Sequence, residues 1–453
     1  MTIHPRARTL LAALAVSLAA GAAHAEWMQP DPTYRETQQA LRDAVRDTAG
    51  HADDPARLAA LGALQLRLAK VADAEKTLAR VLALQPGNPI ALAGLGKLAS
   101  FRGRDGEADS LLALAGEAPG AEGALRDRFD LAVRREDWKG ALALAAKLED
   151  EAGRVEQLQR LSEREPITIE GGEGAPRTIV NFERSWPVPL VKVKLNGQSV
   201  LMAVDPGATE MLVDPSSARL TRVETQPGER TVVWLGGRMA ARSGILDRVT
   251  LGGITVRGLP AAIVSLRKYS LQVNPQGVPI AGVIGLPMLR RLGVTMDFRE
   301  NRIEVSRLPA PAVTGGTRVP FELWGVGELV AFGSVNGGRK MAIQVGTGLP
   351  EAGIGAAPEM FEEFGVKPGK LANAVRSVGA VLQGRPWSRV TAPTVTIGSL
   401  VGDRVPGWSG VVDVQEFWRH GIRRDALLGP AFFRDRRVTF DWSRREMVFQ
   451  QKP

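Results

Sequence analysis

"VLMAVDPGATEMLV" (200–213) ends an apolar run on a single carboxylate, Asp205, and follows it with Pro206 and Gly207 before the chain turns apolar again. Just upstream, "LVKVKLNGQSVLMAV" (190–204) alternates apolar and polar residues, reverses at Asn196-Gly197 and runs back into Asp205. Asn-Gly between two alternating runs signals a hairpin, because both residues tolerate the positive φ that a two-residue turn requires. The stretch therefore reads as a hairpin whose second strand delivers Asp205 to a turn.

The pattern around it occurs twice. "AGVIGLPMLRRLGVTMDFRENRIEV" (281–305) predicts a strand ending at Gly285, a short helix opened by Pro287, a strand to Asp297, a turn and a last strand. "ALLGPAFFRDRRVTFDWSRREMVF" (426–449) lies on it without gaps at a shift of 144, with Gly429 on Gly285 and Asp441 on Asp297. "SVNGGRKMAIQVGTG" (334–348) echoes the Asp205 hairpin; matching Met341-Ala342 to Met202-Ala203 sets Gln344 on Asp205 and Gly346 on Gly207. "VTLGGITV" (249–256) is echoed by "VTIGSLVG" (395–402). Two copies of one β-rich lobe, 172–308 and 317–453, are thus expected on either side of the Pro/Gly-rich "RLPAPAVTGG" (307–316).

This order resembles the retropepsin/pepsin-like aspartic protease family, whose lobes each carry an apolar strand, Asp-Thr/Ser-Gly, and later an apolar-apolar-Gly strand with a short helix. The resemblance covers residues 175–450. It implies a mainly-β bilobal domain in which two facing carboxylates share one proton, one drawing a proton from water and the other donating to the substrate carbonyl. Asp205 is the candidate catalytic residue, and Gln344, in the matched place, cannot ionise. Pro206 and Val345 stand where the motif's hydroxyls belong. Gly207, Gln344, Gly346 and Trp234 are the expected substrate-binding residues. Trp234, in "VVWLGGR" (232–238), belongs either on a hairpin flap tipped by Gly236-Gly237 or in packing. Without a like charge opposite, Asp205 is expected to be ionised at neutral pH unless burial opposes this strongly. Glu351 lies close in sequence to Gln344, but nothing in the spacing makes it a second acid. Asp297 and Asp441 are expected to bond a turn or an arginine. His420, among arginines, reads as exposed.

The preceding residues are helical in pattern. "ALGALQLRLAKVADAEKTLARVLALQPGN" and "LAGLGKLASFRGRDGEADSLLALAGEAPG" superpose at a shift of 34, with Leu61-Gly62 on Leu95-Gly96 and Leu78 on Leu112. This period resembles the tetratricopeptide repeat. Small residues let paired helices approach, and leucines fill the seam. A weaker third copy contains Trp138 and Ala141. Residues 26–165 are expected to form this all-α unit, which either presents a groove to a protein partner or braces its neighbour.

Composition narrows the chemistry. There is no Cys, which removes disulfides, thiolates and Cys-based zinc sites. Past residue 25 only His51 and His420 remain, so a His-rich metal site cannot be built and a Ser-His-Asp triad would need one of these two. No metal and no cofactor is expected. "MTIHPRARTLLAALAVSLAAGAAHA" (1–25) has the basic, apolar and small-residue order of a secretory signal, and predicts a periplasmic or secreted protein. The net charge is −4 over residues 26–165 and +11 over 166–453. The arginines of the basic half are scattered with few aromatics between them, unlike a nucleic-acid groove, and no nucleic-acid partner is expected; contact with a membrane surface is not indicated. Three functions stay open: a pseudo-protease that binds an extended peptide or protein segment between its lobes, an aspartic-type endopeptidase working through Asp205, and an envelope scaffold acting through the helical repeats.

Overall fold

In the computed structural model, Asp54 and Asn88 each open a helix by accepting backbone N–H bonds from the first turn, at Ala56 and Arg57 and at Ala91 respectively. A proline follows each cap, where its missing N–H costs nothing. The structure describes residues 34–453 except 117, 120, 122, 174–176, 310–311, 368–386, 413–417, 419 and 451–453. The segment read as a secretory signal lies outside the described residues. Among the described residues no helix is long and apolar enough to cross a membrane.

Helices pair as Pro55–Arg67 with Val71–Leu84, Pro89–Phe101 with Asp105–Ala115, and Ala124–Arg135 with Trp138–Ala145. The first two pairs begin 34 residues apart in both members. Gly62 and Gly96 show why small residues recur there. A Cβ at Gly62 would lie 2.5 Å from Leu78 Cδ2, and one at Gly96 would lie 2.8 Å from Leu112 Cγ. These are approaches that only a missing side chain permits.

Among the described residues the mainly-β remainder holds three sheets. An eight-stranded sheet contains Leu190–Leu195, Gln198–Val204 and Ile280–Ile284, and a seven-stranded sheet contains their counterparts Glu328–Val335, Met341–Gln344 and Ala426–Leu428. A six-stranded sheet unites the halves. Leu292–Asp297 pairs antiparallel with Arg437–Asp441, Thr295 opposite Thr439, and Arg302–Arg307, Thr178–Asn181, Glu446–Gln450 and Thr317–Pro320 extend it outward. One face of this sheet sends Val294, Met296, Ile303, Val305, Val438 and Phe440 into the core. Strand alternation therefore puts Thr295, Glu304, Ser306, Arg437 and Thr439 on the other face.

The helical unit is bound into this framework rather than tethered to it. Gln157, fully buried on the helix Val155–Glu163, donates its amide to Gly244 O at 2.7 Å and Ala261 O at 3.1 Å in the first sheet. Phe101 stacks on Trp324 with ring centroids 5.0 Å apart. Arg134, buried, donates to Leu323 O, Gly325 O and Ser100 O.

Candidate active site

Asn196 and Gly197 have φ of 49° and 89°, so the first hairpin turns in two left-handed residues as the sequence predicts. Its second strand pairs Ala203 with Val283 and Val204 with Ile284, and Asp205 N donates to Ile284 O at 3.0 Å. Asp205 leaves the strand end wholly buried.

The second lobe does not set Gln344 in the matching place. There Gln344 pairs with Leu427, the counterpart of Val283, so Gln344 is equivalent to Ala203. Val345 N donates to Leu329 O just as Val204 N donates to Pro189 O. Asp205 is therefore matched by Gly346, Pro206 by Thr347 and Gly207 by Gly348, two positions beyond the sequence match. The cause is a turn at Asn336–Gly338 one residue longer than Asn196-Gly197, while the repeated Met-Ala pair favours the opposite offset.

This register restores a hydroxyl that the sequence match omitted. Thr347 Oγ1 donates across the lobes to Val204 O at 2.5 Å, and Thr347 N donates to Asp205 Oδ1 at 2.7 Å. Gly207 N reaches the same oxygen at 2.8 Å. Pro206 can return neither bond, having no hydroxyl and no N–H. Gly346 brings no side chain to face Asp205, and a Cβ there would lie 2.9 Å from Asp205 Oδ1.

Trp234 occupies the remaining approach. Strands Glu224–Trp234 and Gly237–Leu251 form a hairpin flap turning at Leu235-Gly236, whose φ values are 51° and 70°. Trp234 Nε1 donates to Asp205 Oδ2 at 2.8 Å, and the ring meets Tyr269 edge-on with centroids 4.7 Å apart. Tyr269 in turn donates to Gly348 O at 3.0 Å. Asp205, Gly207, Trp234, Gln344 and Gly346 all line one cavity, of which only about 10 Å³ remains, scarcely space for one water. Among its described lining residues Asp205 is the sole carboxylate. Burial pushes the Asp205 carboxyl above its ordinary range, against the pull of N–H bonds from Trp234, Thr347, Gly207 and Gly348.

Gln344 braces the loops from the side. Its amide donates to Gly207 O at 2.9 Å, and its oxygen accepts from Arg424 at 2.7 Å. Arg424 pairs with buried Glu328 at 2.9 Å, and Glu328 lies 3.3 Å from His420 Nε2. His420 is thus not exposed as expected: its side chain is 8% accessible, enclosed by Glu328 and by Asp130 of the helical unit. Glu351 faces away and pairs with Arg389 at 2.8 Å. Asp297 accepts the N–H groups of Arg299 and Glu300, and Asp441 that of Arg444; both hold turns.

Sequence reasoning missed Thr347, Tyr269, Glu328 and Arg424. A signal for the first was present, since Gly346-Thr347-Gly348 is Asp-Thr-Gly without the carboxylate. The flap's two-residue turn falls one position before the expected Gly236-Gly237 tip.

Residues 191–288, from the hairpin to the short helix Leu286–Leu289, match the family model for aspartyl protease. The fold and this match define an aspartyl protease-like domain behind a helical unit. No match was found among curated proteins.

Proposed function

We propose that this is a non-hydrolysing aspartyl protease-like protein that receives an extended peptide or protein segment between its lobes when its flap opens. The carrying observation is the state of Asp205: each oxygen accepts N–H bonds, and the residue opposite is Gly346. Peptide hydrolysis by this fold needs a base toward water and an acid toward the carbonyl. Asp205 can serve as at most one of these, and its oxygens already accept from Gly207, Thr347 and Trp234. Gly207, Gln344 and Gly346 line the floor on which a peptide would lie, and Trp234 covers it. In this reading the helices are tetratricopeptide-like repeats that add a surface for a protein partner, and the protein works outside the cytoplasm once the segment 1–25 is removed.

The test is incubation of a diverse peptide pool with the intact protein from about pH 3 to 8, beside Asp205→Ala and Trp234→Ala, read by mass spectrometry for new termini and by cross-linking for retained peptides. The expected result is no cleavage by any form and more cross-linked peptide with Trp234→Ala. Cleavage by the wild type that vanishes in Asp205→Ala would establish an aspartic-type endopeptidase instead.

A further inference from the structure

The polar face of the six-stranded sheet is not an ordinary solvent face. Thr295, Thr439, Ser306 and Glu304 are each more than nine-tenths buried. They line a cavity of about 170 Å³ together with Arg437 and Arg177, beneath linker residues 312–314. That volume holds several waters or one small solute. Both lobes and their connection contribute, and the cavity shares no lining residue with the Asp205 cleft.

Its unpartnered groups can donate. Ser306 Oγ is buried without a hydrogen-bond partner, and so is Arg437 Nε, which faces Asp297 at 3.7 Å, beyond hydrogen-bond distance. Thr295 Oγ1 and Thr439 Oγ1 lie 2.8 Å apart, so one hydroxyl donates to the other and the acceptor's own proton stays available. The charge agrees. Glu304 is met by Arg177 at 2.6 Å, Arg437 at 2.8 Å and Arg302 at 3.3 Å, one carboxylate against three guanidiniums. Asp297 beside them is met by Arg299 at 3.4 Å and by Arg437 at 3.7 Å, so two carboxylates stand among four guanidiniums. Buried polar groups keep partners, and donors gathered under excess positive charge fit a ligand that only accepts.

We propose that this cavity binds a small oxyanion, a phosphate or carboxylate group, held by the Ser306 and Thr439 hydroxyls and the Arg437 guanidinium. A ligand seated there touches both lobes and the linker at once, so it also holds their mutual orientation.

The experiment is calorimetric titration of the intact protein with inorganic phosphate and, separately, with succinate, at an ionic strength held constant with chloride. Saturable binding of at least one is expected, and the preferred anion distinguishes a phosphorylated ligand from a carboxylate one. Ser306→Ala and Thr439→Val each lose one hydrogen bond to a charged group and should bind about tenfold more weakly. Glu304→Gln removes the competing negative charge and should tighten binding. Ser306→Ala removes a hydroxyl with no protein partner, so it is expected to fold. Absence of saturable heat with both anions, or unchanged affinity in Ser306→Ala and Thr439→Val, overturns the proposal.

Discussion

Trp234, on the flap of the first lobe, is hydrogen bonded to Asp205 at 2.8 Å, so the residue that should face substrate is capped by the protein's own side chain. The bond ties flap, loop and, through Thr347, the second lobe into one buried unit. Losing it has a direct consequence. Trp234→Phe keeps a ring against Tyr269 but removes the N–H from a buried carboxylate, and should lower unfolding free energy by about 1.5–3 kcal/mol. Urea unfolding of the two proteins measures this; equal midpoints and slopes would refute the cap.

Asp205 should leave a signature in the pH dependence of stability. Burial raises its pKa in the folded chain above the unfolded value of about 3.9. The folded state therefore binds more protons in that window, and stability falls as pH rises from about 4 through the raised value, then levels off. Asp127 and Glu322 are also raised, by burial first, so the total slope is not specific to Asp205. The difference between wild type and Asp205→Asn isolates it, since Asn does not titrate. That difference should shrink with rising pH across the window; a difference flat in pH would contradict the raised pKa.

The duplication was legible because it is written in local pattern: hairpin turns, apolar-apolar-Gly strands and the shift of 144 between the lobes' last strands. The register at the site was not. Residue type drew Met341-Ala342 onto Met202-Ala203, whereas backbone pairing obeys turn length, and one extra residue at Asn336–Gly338 moves the match to Gly346. His420 was misread for a different reason. Its sequence neighbours are charged, but Asp130, which helps enclose it, lies 290 positions away.

Restoring a carboxylate should not restore catalysis by itself. In Gly346→Asp the Cβ meets Asp205 Oδ1 at 2.9 Å and Gly207 Cα at 3.2 Å, and a second buried charge follows. The variant should be less stable by about 1–3 kcal/mol from crowding, with no peptide cleavage while Trp234 holds Oδ2. Thermal melting and the peptide assay check both halves. Hydrolysis by this single variant would mean that the flap is no barrier.

Gln157 carries a prediction about the joint between the units. Gln157→Leu keeps the bulk but leaves Gly244 O and Ala261 O without their amide donor, and should cost about 1–3 kcal/mol. Limited proteolysis should then cut sooner between Glu163 and Thr168, where the last helix gives way to the first strand. Unchanged cleavage would show that the helices hold without this anchor.

The one-way bond from Thr347 to Val204 makes the two halves of the chain non-interchangeable. Two copies of the first half would bring Asp205 against Asp205, a pair able to share one proton, and Pro206 against Pro206, with no hydroxyl to join the loops. Two copies of the second would offer the Thr347 amide with no carboxylate to receive it. Only the unlike pair brings carboxylate and hydroxyl together. The joint between the halves is therefore asymmetric, and neither half carries all of it.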